Sequence, residues 1–370
     1  MRKLVTMKLA LELPGTPPFT SQVFINRERG GDFAANLRSC LQDRVAYWIW
    51  DEKVFGLWRE RLKATPFPPI EPAHLICFPA SEANKCLAAV ERLAAALLER
   101  GADRGSALVA VGGGVTGDVV GFLAAILLRG IPHVQVPTTL LAQVDSSVGG
   151  KTGVDLEQGK NLLGAFHQPR LIWMDLQFLE TLPPEEFRQG MAEVIKTAML
   201  GDEDLWHFLE AHAAQLKRRA GNAMYQIVTA CCRLKARVVQ LDERESGHRR
   251  ILNLGHTVGH ALERLSNYQI RHGDAVAIGL VAAANLAVSL GELKAADLMR
   301  LERLCRTWEL PVRIPPGFAP EALVEAMQTD KKIVRGQLHF ILPVGIGKVV
   351  EYPGVRGEQM EAVLTALQKP

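Results

Sequence analysis

The stretch VAVGGGVTGDVVGF, residues 109–122, reads as a β-strand, a glycine-rich turn and the start of a helix. Gly112, Gly114 and Gly117 satisfy G-x-G-x-x-G, and a strand that turns through glycines into a helix presents backbone N–H groups to a diphosphate. Around it the first half alternates strand-like runs with helical patterns: VAYWIW at 45–50, HLICFP at 74–79, a helix from about Ser81 to Arg100, ALVAV at 107–111 and HVQVP at 133–137. Strand, helix, strand spacing implies a parallel sheet with crossover helices. After LIWM at 171–174 the pattern changes. Thr181-Leu-Pro-Pro-Glu-Glu186 resembles a helix start, with prolines and acids in its first turn, and from there to about Met327 nearly everything is helical. The expected organisation is a Rossmann-like α/β, dinucleotide-binding domain over residues 1–180 and a mostly α-helical domain over 181–370. QLHFILPVGIGKVVEY at 337–352 reads as a late hairpin.

A Rossmann fingerprint also wants an acid about 20 positions on, at the end of the next strand, to hold the ribose. Here that strand ends in Thr138-Thr139, so the contact must come from elsewhere, with Asp51 and Glu82 as candidates. A second glycine segment, SSVGGKTG at 146–153, ends like a Walker A loop. Asp145 stands where its first glycine belongs, which argues against ATP hydrolysis by that route.

Three separated segments carry metal-ligand chemistry: Glu193 in AEVIK, His256 and His260 in NLGHTVGH, and His272 in RHGDA. One carboxylate and two or three imidazoles suffice for a divalent ion with an open position. His256 and His260 are four apart and share one helix face, as do Glu193 and Lys196. Thr257 follows His256, so the general-base glutamate of a zinc protease is missing. A dinucleotide beside a divalent metal suggests redox work on an alcohol.

Composition sets the outer bounds. With 370 residues, 48% of them apolar, the chain is long enough for two globular domains. Its net charge of +3 comes from 43 basic and 40 acidic residues spread along the chain, without the basic runs of a nucleic-acid footprint. The six cysteines form no C-x-x-C pair and read as reduced core residues. Lys8 and Glu12 interrupt the N-terminal apolar run before it can serve as a signal peptide, leaving a first strand. The longest apolar stretch, Ala275 to Leu290, contains Asn285 and Ser289 and falls short of the roughly 20 residues that span a bilayer, so it reads as a buried helix. A cytoplasmic location is the expectation, with no nucleic-acid or membrane partner.

GGGVTGD at 112–118, RGIPHVQVPTTLLAQVDSSVGGKTGVD at 129–155, GKNLLGAFHQP at 159–169, TLPPEEFRQGMAEVIK at 181–196, DERESGHRRILNLGHTVGHALE at 242–263, HGDAVAIG at 272–279 and TDKK at 329–332 form an ordered series. With these blocks the chain resembles the 3-dehydroquinate synthase family of the sugar-phosphate cyclase superfamily, over about residues 79 to 347. The resemblance implies conversion of 3-deoxy-D-arabino-heptulosonate 7-phosphate to 3-dehydroquinate in the shikimate pathway, with NAD and one divalent metal, zinc or cobalt. The implied course is transient oxidation at C5, phosphate elimination, re-reduction, ring opening and aldol closure.

It further implies that Glu193, His256 and His272 hold the metal while His260 faces substrate. The implied phosphate site is Lys151, Asn161, His260 and Lys331, with Arg129 reaching in from a neighbouring subunit of a homodimer. Lys235 and Arg249 would meet the substrate carboxylate, and Asp145, Lys196 and Asn253 its hydroxyls. The implied NAD site comprises Asp51, Glu82, Lys85, Gly114, Val115, Gly117, Asp118, Thr138, Thr139, Lys160 and Thr181, with Asp145 and Lys151 also bordering the cofactor. A substrate with both phosphate and carboxylate needs several cations, and arginine suits bidentate carboxylate binding. Ser81 stands where the family's usual G-E-x-x-K has glycine, and Leu128 where a larger residue is common. An inosose or valiolone synthase would leave the carboxylate-binding cations unpaired. A polyol dehydrogenase would have no use for so many cations, and an inactive scaffold would have lost a ligand.

Overall fold

Strand β5 (Ser106–Gly112) is buried along its whole length, as its run of Ala, Leu and Val requires of the centre of a parallel sheet covered on both faces. The structure, a computed structural model, describes residues 6–13, 19–27, 32–62, 67–328, 333–334 and 337–369. In chain order the first part comprises β1 (Thr6–Leu13), β2 (Phe19–Asn26), α1 (Phe33–Leu41), β3 (Val45–Asp51), α2 (Glu52–Leu62), β4 (Leu75–Phe78), α3 (Leu87–Glu99), β5, α4 (Gly114–Ile126), β6 (His133–Pro137), β7 (Lys151–Leu156), β8 (Gly159–Phe166) and β9 (Leu171–Asp175). There follow α5 (Pro184–Gly201), α6 (Glu203–Ala211), α7 (Ala213–Lys217) and α8 (Gly221–Leu241). The last part contains α9 (His256–Leu265), α10 (His272–Ser289), α11 (Ala295–Thr307), α12 (Pro320–Gln328), β10 (Ile333–Val334), β11 (Gln337–Gly345), β12 (Lys348–Val355) and α13 (Gly357–Gln368).

The chain divides into two units. The first comprises Met1–Pro183 and Arg219–Arg244, the second Pro184–Arg218 and Glu245–Pro370. A single boundary at residue 180 does not describe this division, because α8 returns to the first unit. Its Ala236 and Val239 form a small core with Leu11 and Leu13 of β1, so tertiary burial overrides sequence order.

In the first unit a seven-stranded sheet runs β1-β2-β9-β6-β5-β3-β4. Only the β1–β2 pair is antiparallel. Alternation along the strands feeds two cores. Tyr47, Ile49, Leu108 and Ala110 pack with α3 and α4 on one face, while Trp48, Trp50, Val109 and Val111 pack with Phe33 and Leu37 of α1 on the other. The helix expected from about Ser81 is broken. Glu82–Asn84 form a 3-10 turn, and α3 begins only at Leu87. Between β6 and β9 the chain inserts a separate antiparallel hairpin, β7–β8.

The second unit is mostly helical. Nearly every residue of α10 from Gly273 to Ala287 is buried, and the helix contacts α5, α9 and α11. It is long and apolar enough to cross a membrane, but 72% of it is buried, as in the core helix of a folded unit. The expected late hairpin is present as β11 and β12.

Candidate metal centre and dinucleotide cradle

In the first unit β5 ends at Gly112, and Gly113 caps α4 without a side chain, so the first backbone N–H groups of the helix face outward at a positive dipole end. Several glycines here are obligatory. A Cβ on Gly112 would overlap the Thr116 side chain, one on Gly117 would stand 2.8 Å from Gln135 Oε1, and one on Gly113 would lie 3.0 Å from Thr139 Cγ2. The Thr138 N–H donates to the Gly112 carbonyl at 2.9 Å, while its hydroxyl is buried with no partner among the described residues. A bare helix start, a cradle that side chains would fill and a spare buried hydroxyl fit the diphosphate of a dinucleotide.

Asp51 ends β3, the strand paired in parallel with β5, which puts it at the carboxyl edge of the sheet beside the glycine turn. Its Oδ1 accepts from the backbone N–H groups of Lys53 and Val54 at 2.9 and 3.1 Å, capping α2, and burial pushes its carboxyl up from the ordinary value. Gly114 and Val115 lie in the first turn of α4. Asp118, one turn further on, meets buried Lys85 at 2.7 Å. Glu82 pairs with Lys160 at 3.4 Å. The Thr181 hydroxyl accepts from Trp58 Nε1 at 2.7 Å and so already serves the core. Ser81 is extended, with φ −158°, a conformation open to any residue, and its substitution for glycine introduces no backbone strain.

The other residues assigned to this unit fall into three groups. Lys235 Nζ donates to both the carbonyl and Oδ1 of Asp145, each at 2.7 Å, where a π-turn over Ala142–Ser146 faces α8. Lys151 is exposed at the start of β7, and Asn161 Oδ1 accepts from Lys85 Nζ at 2.6 Å. Arg129 is exposed in a turn where Leu128, Arg129 and Gly130 have φ of 52°, 70° and 110°, and left-handed backbone of this kind is costly for the first two.

In the second unit three helices supply the metal-ligand candidates: Glu193 from α5, His256 from the start of α9 and His272 from the start of α10. One ligand atom from each lies within 4.8 Å of the others. His272 Nε2 and His256 Nε2 stand 3.2 and 3.5 Å from Glu193 Oε1. Each outer ring nitrogen has an acceptor: Glu263 Oε2 at 3.3 Å for His272 Nδ1, and the Leu254 carbonyl at 3.2 Å for His256 Nδ1. These contacts orient both rings so that their Nε2 atoms turn inward toward Glu193. Two imidazoles and a buried carboxylate so oriented fit a tetrahedral divalent ion with one position open.

Glycines permit the convergence. A Cβ on Gly279 of α10 would overlap the carbonyl oxygen of Gly255, which itself has φ +78° just before His256. A Cβ on Gly273 would stand 2.6 Å from the Gln189 carbonyl. Gln189 Oε1 accepts from the N–H groups of Gly273 and Asp274 at 2.6 and 3.2 Å, which caps α10 beside His272.

The electrostatics of the three ligands are coupled. Burial alone would raise the Glu193 carboxyl, but Lys196, paired with it one turn on, and the two histidines hold it well below the usual range. Burial pushes His256 well below the ordinary imidazole value. Burial opposes protonation of His272 too, but hydrogen bonds to Glu193 and Glu263 outweigh it and raise that group to about 10.

His260 is exposed on α9, its ring centroid 5.2 Å from that of His256, and is not one of the three. Arg249 is only 2% exposed within the 3-10 turn His248–Asn253, and Asn253 Nδ2 donates to Glu245 Oε1 at 2.8 Å. Lys331 lies outside the described residues. Glu263 and Gln189 were not singled out from the sequence. Their signal was helical spacing, Glu263 two turns beyond His256 and Gln189 one turn before Glu193.

Comparison with known proteins matches the chain to two consecutive family models. Residues 75–189 match the family described as 3-dehydroquinate synthase N-terminal, and residues 190–333 the one described as 3-dehydroquinate synthase C-terminal. A 3-dehydroquinate synthase of a Synechococcus species is 49% identical over 298 residues, covering 80% of this chain and 81% of the relative. That of Symbiobacterium thermophilum is 44% identical over 333 residues, covering 89% and 92%. Among solved structures, 2-epi-5-epi-valiolone synthase from Streptomyces hygroscopicus, with NAD+ and Zn2+ bound, has a TM-score of 0.84 at 31% identity and coverage of 94% and 96%. A 2-deoxy-scyllo-inosose synthase complexed with carbaglucose-6-phosphate, NAD+ and Co2+ has a TM-score of 0.81 at 26% identity, covering 97% and 99%.

Proposed function

Because this chain belongs to the 3-dehydroquinate synthase family, we propose that it converts 3-deoxy-D-arabino-heptulosonate 7-phosphate to 3-dehydroquinate and phosphate, as a carbon–oxygen lyase using NAD and one zinc or cobalt ion. The observation that carries the reading is the contrast in kinship: 49% and 44% identity to 3-dehydroquinate synthases, against 31% and 26% to the valiolone and inosose synthases. When bound, NAD supplies a reversible oxidation at C5, and the metal a Lewis acid that acidifies the hydroxyl and polarises the resulting carbonyl.

The chain's own residues do the rest. Glu193, His256 and His272 hold the metal, and the hydrogen bonds that the two rings donate to Glu263 and to the Leu254 carbonyl hold both Nε2 atoms on the inner side. The glycine turn and the start of α4 bind the diphosphate, with Asp51 at the ribose and Glu82, Lys85, Thr138, Thr139, Lys160 and Thr181 around the cofactor. Lys151, Asn161, His260 and Lys331 bind the substrate phosphate, Lys235 and Arg249 the carboxylate, and Asp145, Lys196 and Asn253 the hydroxyls. Arg129 completes the phosphate site of a second copy in a homodimer, and the protein works in the cytoplasm.

The test is an assay of purified protein with the heptulosonate phosphate, NAD and zinc or cobalt, following phosphate release and dehydroquinate together. Both products should appear and cease on chelation. Turnover of sedoheptulose 7-phosphate in place of the acid substrate would overturn the reading.

A further inference from the structure

Lys85 occupies the break between the 3-10 turn Glu82–Asn84 and α3, and only 7% of it is exposed. Its ammonium reaches two groups from separate elements, Asp118 Oδ2 on α4 at 2.7 Å and Asn161 Oδ1 on β8 at 2.6 Å. A second link ties the same residues through the main chain. Asp155 N–H donates to the Lys85 carbonyl at 2.7 Å, and Asp155 Oδ1 accepts from the Asn161 N–H at 2.7 Å. Asn161 is thus gripped at its amide and its backbone, in the left-handed region at φ 55°, where asparagine is among the better-tolerated residues.

An ammonium has donors and no acceptor, so it can face an asparagine amide only through the carbonyl oxygen. The NH2 group of Asn161 then points the other way, on a residue that is itself exposed. We propose that Lys85, with Asp155 behind it, is a positioning residue that locks the Asn161 amide with its NH2 group outward, as a dedicated donor to the phosphate of the substrate. Released, the amide could turn and offer an anion its carbonyl oxygen, which repels it. Burial alone would favour the neutral amine, but the Asp118 carboxylate outweighs this and raises Lys85 above the ordinary lysine value, so the donor-only form persists. Asp118 belongs to the helix that opens the dinucleotide cradle, so one buried cation braces the cofactor side and the phosphate side together. The inference rests on the reading of Asn161 as a phosphate ligand.

The experiment measures the inhibition constant of inorganic phosphate on the holoenzyme, with NAD and zinc bound, for Lys85→Met, Asp155→Ala and Asn161→Ala and for each of the first two combined with Asn161→Ala. A hydrogen bond to a charged group sets the scale, and each single variant should weaken phosphate by roughly tenfold. Each double should be no worse than Asn161→Ala alone, because groups that act through one residue do not add. Asp155→Ala should leave the dissociation constant for NAD unchanged, whereas Lys85→Met should raise it. Multiplicative losses in the doubles would overturn the proposal while leaving Asn161 as a ligand. An unchanged constant in Asn161→Ala would instead overturn the phosphate assignment, and the proposal with it. Should Lys85→Met fail to fold, Asp155→Ala decides alone, since Asp155 is half-buried at a hairpin irregularity and is assigned to no ligand.

Discussion

His133 and His167 stack in the first unit with ring centroids 5.0 Å apart, and His256 and His272 meet in the second at 5.4 Å. His133 and His272 have opposite chemistry because of what surrounds them. His133 is fully buried, neither of its ring nitrogens has a partner among the described residues, and burial pushes it down to about 3. His272 is flanked by the carboxylates of Glu193 and Glu263 and stands at about 10. A buried imidazole with no anion nearby is a neutral packing group, while one gripped by two carboxylates is a base held in place for a cation.

The contrast can be broken from the second unit first. His272→Ala should abolish turnover and metal retention together, a loss beyond the 10- to 100-fold expected for an outer partner, to be measured as zinc content after desalting and as dehydroquinate formed. Full activity with no retained metal would dissolve the distinction between the pairs. Glu263→Ala removes only the acceptor behind His272 and should weaken zinc by about 10- to 100-fold, readable by competition with a chromogenic chelator. The first unit gives the smallest effect. The unfolded His133 titrates near 6.5 and the folded one at about 3, so the unfolded chain takes up the proton first. Its contribution to stability is complete above the unfolded value and is lost as pH falls toward the folded one, by about 1.4 kcal/mol per unit. Denaturant titration at pH 7 and pH 5 should show a drop roughly 2 kcal/mol larger in the parent than in His133→Leu, and equal drops would mean that His133 finds a partner on protonation.

The two regions also differ in how far they can be read from the sequence. The strand, glycine turn and helix of residues 109–122 are contiguous, and the backbone conformation they encode is local, so the cradle could be recognised in place. The metal-ligand candidates could be picked out as residue types. Their grouping depends on α5, α9 and α10 meeting through Gly255, Gly273 and Gly279, contacts that no local pattern announces. For the same reason Glu263, Gln189 and Asp155 passed unnoticed. They touch partners rather than ligands, and their roles appear only once the helices and the β7–β8 hairpin are in place. The break at Lys85 was hidden by a run from Ser81 to Arg100 that reads as one helix, because helical propensity says little about a 3-10 turn followed by an extended residue.

The return of α8 to the first unit bears on how this protein can be taken apart. A chain stopped at residue 180 keeps Leu11 and Leu13 but loses Ala236 and Val239, which cover them, and it also loses Lys235, the partner of Asp145. No single cleavage yields either unit whole. To express the first unit alone, residues 219–244, which carry α8, would have to be spliced directly after residue 183.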